Sequence, residues 1–225
     1  MCEAPSTSRE HVPPLCIFPE QKDIESGEDL RKDLITVPSC DIHNSKKSKD
    51  DELMLFVLTL NIANNILAKR QGLTKILRAV LRNQNLPNHF FSKSSPVMSV
   101  EFQGDAISAS LAKIDYQRFL RASTHMAHGL YFHHFGRKFK GKCSIFADFM
   151  LHYETEGAVK SNYNQRTVAE IVKPHFDQEP QYGNNPTVFS YSVLPPDDNG
   201  LIGGRMQFFE ASNIYVAYIP CDNDA

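Results

Sequence analysis

The first 50 residues hold too few apolar side chains to build a core of their own. Their apolar islands are "LCIF" (residues 15–18) and "LITV" (residues 34–37), set among prolines, charges and the loop-like stretch "EQKDIESGEDLRKD". A segment this small usually needs a bound metal or a larger body to dock on. Within it, "REHVPPLCIFPE" (residues 9–20) places an acidic residue directly before a histidine, with two prolines just after. Each proline fixes φ and removes a backbone donor, so this stretch is neither helix interior nor regular central strand. The β-branched "LITV" predicts a short strand.

From Asp50 the pattern changes. "DDELMLFVLTLNIANNILAKR" predicts one helix with Leu53, Phe56, Leu60, Ala63 and Leu67 at helical spacing, broken at Gly72. "LTKILRAVLR" repeats the pattern through Leu73, Ile76, Leu77, Val80 and Leu81. "VMSVEF" predicts a short strand. A third helix is predicted from about Lys113 to His134, stopped at Gly136 and followed by a basic surface loop, "GRKFKGK". Residues 144–186 carry no clear pattern. "TVFSYSVL", "GRMQFFE" and "NIYVAYIP" are rich in aromatic and β-branched residues and separated by turn formers, which predicts an antiparallel meander. The expected class is α+β, with an N-terminal module over residues 1–52 and a helical and antiparallel-β region over residues 53–225.

Composition narrows the classes of function. A hydrophobic content of 41% and a charged content of 22% are those of an ordinary globular protein. The net charge of −2 excludes a global basic signature, so any nucleic-acid contact must use local patches. There is no run of about 18 apolar residues, so no membrane partner is expected. "MCEAPSTSRE" lacks the basic start and apolar block of a secretory signal, which points to the cytoplasm. The five cysteines, Cys2, Cys16, Cys40, Cys143 and Cys221, are odd in number and widely spaced, so free thiols are expected rather than a disulfide framework.

Beyond Glu10-His11 comes "DLITVPSCDIHNSKKSKDD". It holds Asp33, the short strand, Cys40-x-x-His43, Asn44, a lysine run and then a helix. An acidic-His pair on an irregular strand, an Asp or Asn before a short strand, and an Asn heading a helix resembles the order of the HNH, or ββα-metal, nucleases. Asp33-Leu34 stands where that family usually has Asn-Leu. His43 replaces the second cysteine of the usual Cys-x-x-Cys-His-Asn block, and Asn44 replaces its histidine. "EHVPP…FP…LITVPSC" is similar to a bacterial branch in which the module precedes helices, a Gly-Leu-Tyr segment (Gly129, Leu130, Tyr131) and terminal strands. The motif match spans roughly residues 1–60.

The resemblance implies metal-dependent hydrolysis of DNA phosphodiesters. A neutral histidine takes a proton from water near pH 7, and His11 would be that base. Hard oxygen ligands suit Mg²⁺ or Mn²⁺, here the Glu10 carboxylate and the Asn44 amide oxygen. Asp33 would accept a hydrogen bond and orient the loop or the imidazole. Lys46, Lys47 and Lys49 would meet phosphates, although a lysine run alone is more often a solvated face. Relatives hold this module with paired zinc knuckles, which implies structural Zn²⁺ on Cys2, Cys40 and His43; Cys2 stands where the first knuckle's second cysteine belongs. Cys16 reads better as packing than as a fourth ligand.

Two rival readings use the same residues. One is a degenerate HNH-derived module that binds nucleic acid or assembles without cleaving it. The other is a toxin that cleaves RNA. "HMAHGLYFHH" holds His125, His128, His133 and His134, with His125 and His128 on one helix face, but no matched carboxylate or cysteine lies near in sequence, so packing or surface roles are expected.

Overall fold

The computed structural model describes residues 5–40, 48–89, 97–102, 105–110, 112–152 and 156–221. In chain order its elements are β1 (Ser8–His11), β2 (Thr36–Ser39), α1 (Ser48–Thr59), α2 (Ile66–Gln71), α3 (Leu77–Arg82), β3 (Val97–Phe102), β4 (Asp105–Ser110), α4 (Tyr116–Phe135), β5 (Gly141–Ala147), α5 (Glu156–Gln178), β6 (Tyr182–Asn185), β7 (Phe189–Val193), β8 (Ile202–Phe208) and β9 (Ser212–Pro220). The class is mixed α+β. No helix among the described residues is long and apolar enough to cross a membrane.

The expected meander forms β7, β8 and β9. Two further strands extend it to a five-stranded antiparallel sheet in the order β5-β9-β8-β7-β6. Side chains alternate across a strand, which gives the sheet two covered faces. On one, Ile202, Met206, Phe208, Ile214, Val216 and Tyr218 pack with Phe119, Met126, Ala127 and Leu130 of α4. Tyr218 Oη donates to the Ala127 carbonyl at 2.8 Å, which satisfies a buried hydroxyl and ties sheet to helix. On the other face, Tyr215 and Phe146 pack with Ala169, Val172 and Phe176 of α5. Arg205 is only 2% exposed there. It is neutralised by Asp177 at 2.6 Å and lies 5.5 Å from the Phe176 ring centroid.

The long helical run differs from the sequence pattern. It does not continue from Asp50 to Arg70, because α1 stops at Thr59 and α2 starts at Ile66. Three asparagines make the break. Asn64 is buried, donates to the Leu58 carbonyl and accepts from Ser212 Oγ at 2.8 Å. Asn61 Nδ2 donates to the same Ser212 hydroxyl at 2.9 Å. Asn65 caps α2 through its side chain, and its backbone N–H donates to the Phe209 carbonyl at 3.2 Å. Tertiary partners at the β8–β9 turn thus win over local helical spacing. Gly72, expected to end the helix, sits inside it, in a π turn (Gly72–Ile76) that joins α2 to α3. Of the expected apolar faces, Leu60, Leu73, Leu77 and Leu81 are exposed, at 40%, 73%, 48% and 68%.

The N-terminal segment docks as its small apolar content requires. Val12, Ile17, Phe18, Leu30 and Val37 belong to the same buried cluster as α1, α4 and the sheet. β1 and β2 form a separate two-stranded antiparallel ribbon, and α1 comes after β2 in the chain.

Candidate active site

The ribbon pairs Ser8 with Ser39, Glu10 with Val37 and His11 with Thr36. Alternation sends Glu10 to one face and His11 to the other. On the Glu10 face, Ser39 Oγ donates to Glu10 Oε2 at 3.1 Å, diagonally across the strands. Ser39 is buried and Glu10 half-buried, so the carboxylate is held at the edge of the core rather than loose in solvent. On the His11 face, Arg9 donates to Thr36 Oγ1 from Nε at 3.0 Å and from Nη2 at 2.8 Å, which fixes the side chain opposite His11. His11 itself is half-buried.

The segment after His11 is locked in place. The Val12 N–H continues the ladder to the Ile35 carbonyl at 3.0 Å. Val12, Pro13 and Pro14 are buried, and Val12 lies against the bare Cα of Gly129 on α4. The 3-10 turn Leu15–Ile17 then packs on α1, where Cys16 Sγ contacts the Asp51 carbonyl at 3.3 Å. Burial, with the nearby Asp51 charge, pushes the Cys16 thiol up to about 12, so it is a neutral packing group. Asp50, in the first turn of α1, pairs with Arg118 of α4 at 2.5 Å. Core contacts therefore hold both the strand carrying Glu10-His11 and the helix that begins after residues 41–47.

Asp33 lies in the turn before β2 at φ +53°, and Asn184 of β6 donates to its main-chain carbonyl. Its side chain is exposed, and among the described residues its carboxylate makes no hydrogen bond to His11. Cys40 is buried, immediately after β2. Cys2, His43, Asn44, Lys46 and Lys47 lie outside the described residues, as does the side chain of Lys49.

Among the described residues no group of three His, Cys, Asp or Glu side chains could hold a metal ion. The donor on the ribbon nevertheless has the right chemistry for one: Glu10 offers hard carboxylate oxygen, with Oε2 oriented by Ser39. Ser39 was not evident from sequence; only the strand pairing makes it the diagonal neighbour of Glu10. The pairing of His128 with Cys143 was equally hidden. Cys143 Sγ lies 3.8 Å from His128 Nε2 across the α4–β5 contact. Burial pushes the thiol up to about 11 and the imidazole below its ordinary value, so both are neutral.

No family model matches the chain, and no curated protein or solved structure matches it.

Proposed function

We propose that the chain is an HNH-type endonuclease that hydrolyses DNA phosphodiester bonds with a divalent ion. The observation that carries this reading is the strand–strand–helix order of β1, β2 and α1, with Glu10-His11 on the first strand and the Glu10 carboxylate held by Ser39. His11 takes a proton from water, and the resulting hydroxide attacks phosphorus as the bond to the leaving oxygen breaks. Glu10 and Asn44 would hold Mg²⁺ or Mn²⁺, which would supply charge neutralisation for the phosphate and the leaving oxygen. Asp33 accepts a hydrogen bond that orients the loop or the imidazole, on a turn whose main-chain carbonyl accepts from Asn184. Lys46, Lys47 and Lys49 contact phosphates. Cys2, Cys40 and His43 would hold a structural Zn²⁺.

The test is incubation of purified protein with plasmid DNA and Mg²⁺ or Mn²⁺. Nicked or linear product in both metals, and none with EDTA, is expected. A plasmid that stays supercoiled in every metal would contradict the reading.

A further inference from the structure

Every Asp and Glu of the chain lies outside residues 116–147, although acidic residues outnumber Lys and Arg overall, 26 to 24. That acid-free stretch is α4, the turn after it, and β5. It carries Arg118, Arg121, Arg137, Lys138, Lys140 and Lys142. The last four fall within six residues at the α4–β5 turn, and all four are exposed.

Several cations elsewhere among the described residues are matched to carboxylates, although Arg82 and Lys160 are not. Arg70, Arg78, Arg166, Lys173 and Arg205 sit in ion pairs, as does Arg118 within the acid-free stretch, through Asp50 of α1. Among the described residues, Arg137, Lys140 and Lys142 make no ion pair or hydrogen bond through their side chains. Three like charges this close, Arg137, Lys140 and Lys142, repel one another, which costs stability unless an anion is bound.

The turn is also anchored to the core. Gly136 caps α4 at φ +69°, a left-handed conformation that suits glycine. Phe139 anchors the middle, with ring centroids 4.9 Å from Tyr131 and 5.3 Å from Tyr218. Burial then alternates residue by residue: Phe139 and Cys143 turn inward, while Lys138, Lys140 and Lys142 turn outward. Outward residues two apart on an extended strand are separated by about 6.8 Å. The result is a pre-organised row of ammonium groups rather than a floppy tail.

Its position relates it to the ribbon. Val12, the residue after His11, packs on Gly129 of α4. Gly129 and Gly136 are seven residues apart on that helix, or about 10 Å along its axis. B-DNA covers that distance in about three base pairs.

We infer that the α4–β5 turn, through Arg137, Lys138, Lys140 and Lys142, is a second contact for the phosphodiester backbone of a nucleic-acid duplex. The inference rests on the endonuclease reading and names the surface that holds the substrate beyond the cleavage point. Contacts of this kind set affinity and register and are independent of base sequence.

The test uses the full chain and fluorescein-labelled 20-bp duplexes, one DNA and one RNA, in EDTA so that nothing is cut. Anisotropy titrations are run between about 50 and 200 mM salt. Each phosphate contact contributes about 0.9 to the log–log salt slope, so R137Q/K140Q/K142Q removes about 2.7 and shrinks the fourfold-salt loss of affinity by about 40-fold. A charge-matched control, K160Q/R166Q/K173Q on α5, is expected to bind as the wild type does. The duplex with the larger change in slope identifies the polymer held by the turn. Circular dichroism checks that the variants fold. A folded turn variant with unchanged affinity and slope overturns the inference while leaving the cleavage reading intact. The same holds if that variant keeps its DNA affinity but is released from phosphatidylglycerol vesicles that bind the wild type. Loss of the slope with no plasmid cleavage by the wild type upholds the contact and overturns the nuclease reading.

Discussion

Val12 and Gly129 occupy space that a single added methyl would contest: a Cβ at Gly129 would lie 2.8 Å from Val12 Cγ2. This contact couples the Glu10-His11 strand to the central helix. Gly129→Ala gains helix propensity of about 1 kcal/mol, against an overpacking cost of about 1–3 kcal/mol. Valine is stiff at χ1, so its methyl groups cannot swing aside cheaply. The expected outcome is a net loss of stability in urea titration, with a fall in cleavage as β1 shifts. Adding Val12→Ala to Gly129→Ala should cost less than Val12→Ala does in the wild type. Additive free energies in that double-mutant cycle would show that the two residues do not compete.

Ser39 is expected to act on metal affinity through Glu10. Ser39→Ala removes the donor at 3.1 Å and leaves the carboxylate in place. Loss of such a supporting hydrogen bond typically costs about 10–100-fold in metal affinity. The Mg²⁺ concentration for half-maximal plasmid cleavage should rise by about that factor, while the rate at saturating Mg²⁺ changes little. An unchanged Mg²⁺ requirement would remove Ser39 from the site.

Asn64 is 2% exposed and joins α1 to the β8–β9 turn. Asn64→Ala leaves the Leu58 carbonyl and the Ser212 hydroxyl short of a partner, at a cost of about 1–3 kcal/mol each. A clear drop in urea midpoint is expected. A stability within about 0.5 kcal/mol of wild type would mean that the helix break is held by something else.

Two half-buried thiols set an alkaline limit on stability. Cys143 is raised to about 11 and Cys16 to about 12, both mainly by burial. The unfolded-chain value is about 8.5. Folded values above unfolded ones mean that the stabilising contribution is complete below about pH 8.5 and is lost as pH rises through the folded values. The urea midpoint should therefore fall between about pH 8 and 9.5, before the tyrosines contribute. C16A/C143A should flatten that fall, measured relative to its own midpoint at pH 7. An equally steep fall in the double variant would assign it to other groups.

The parts legible in the sequence were those whose partners are close or whose pattern is regular. β7 and β9 are rich in aromatic and β-branched residues, and α4 ends at the glycine expected to stop it. β5 was hidden because its exposed positions are Lys142 and Ser144, its inward ones include Gly141 and Cys143, and it follows directly on a basic turn, so it looks like a loop until the sheet supplies β9 as a partner. α5 was hidden because its inner stripe relies on small residues, Ala158 and Ala169, and because Pro174 lies inside it. The helix break at Asn61–Asn65 depends on Ser212 and Phe209, far away in the chain. At the candidate site, Glu10-His11 stood out by residue type, whereas Ser39 became meaningful only through strand register.

The central claim is that His11 is the base of a DNA hydrolase. The most direct measurement compares wild type and His11→Ala in plasmid cleavage with Mg²⁺, with duplex affinity measured in EDTA on the same preparations. The account predicts a rate lower by about 10²–10⁴, with unchanged circular dichroism and unchanged duplex affinity. Cleavage by folded His11→Ala at the wild-type rate would contradict it.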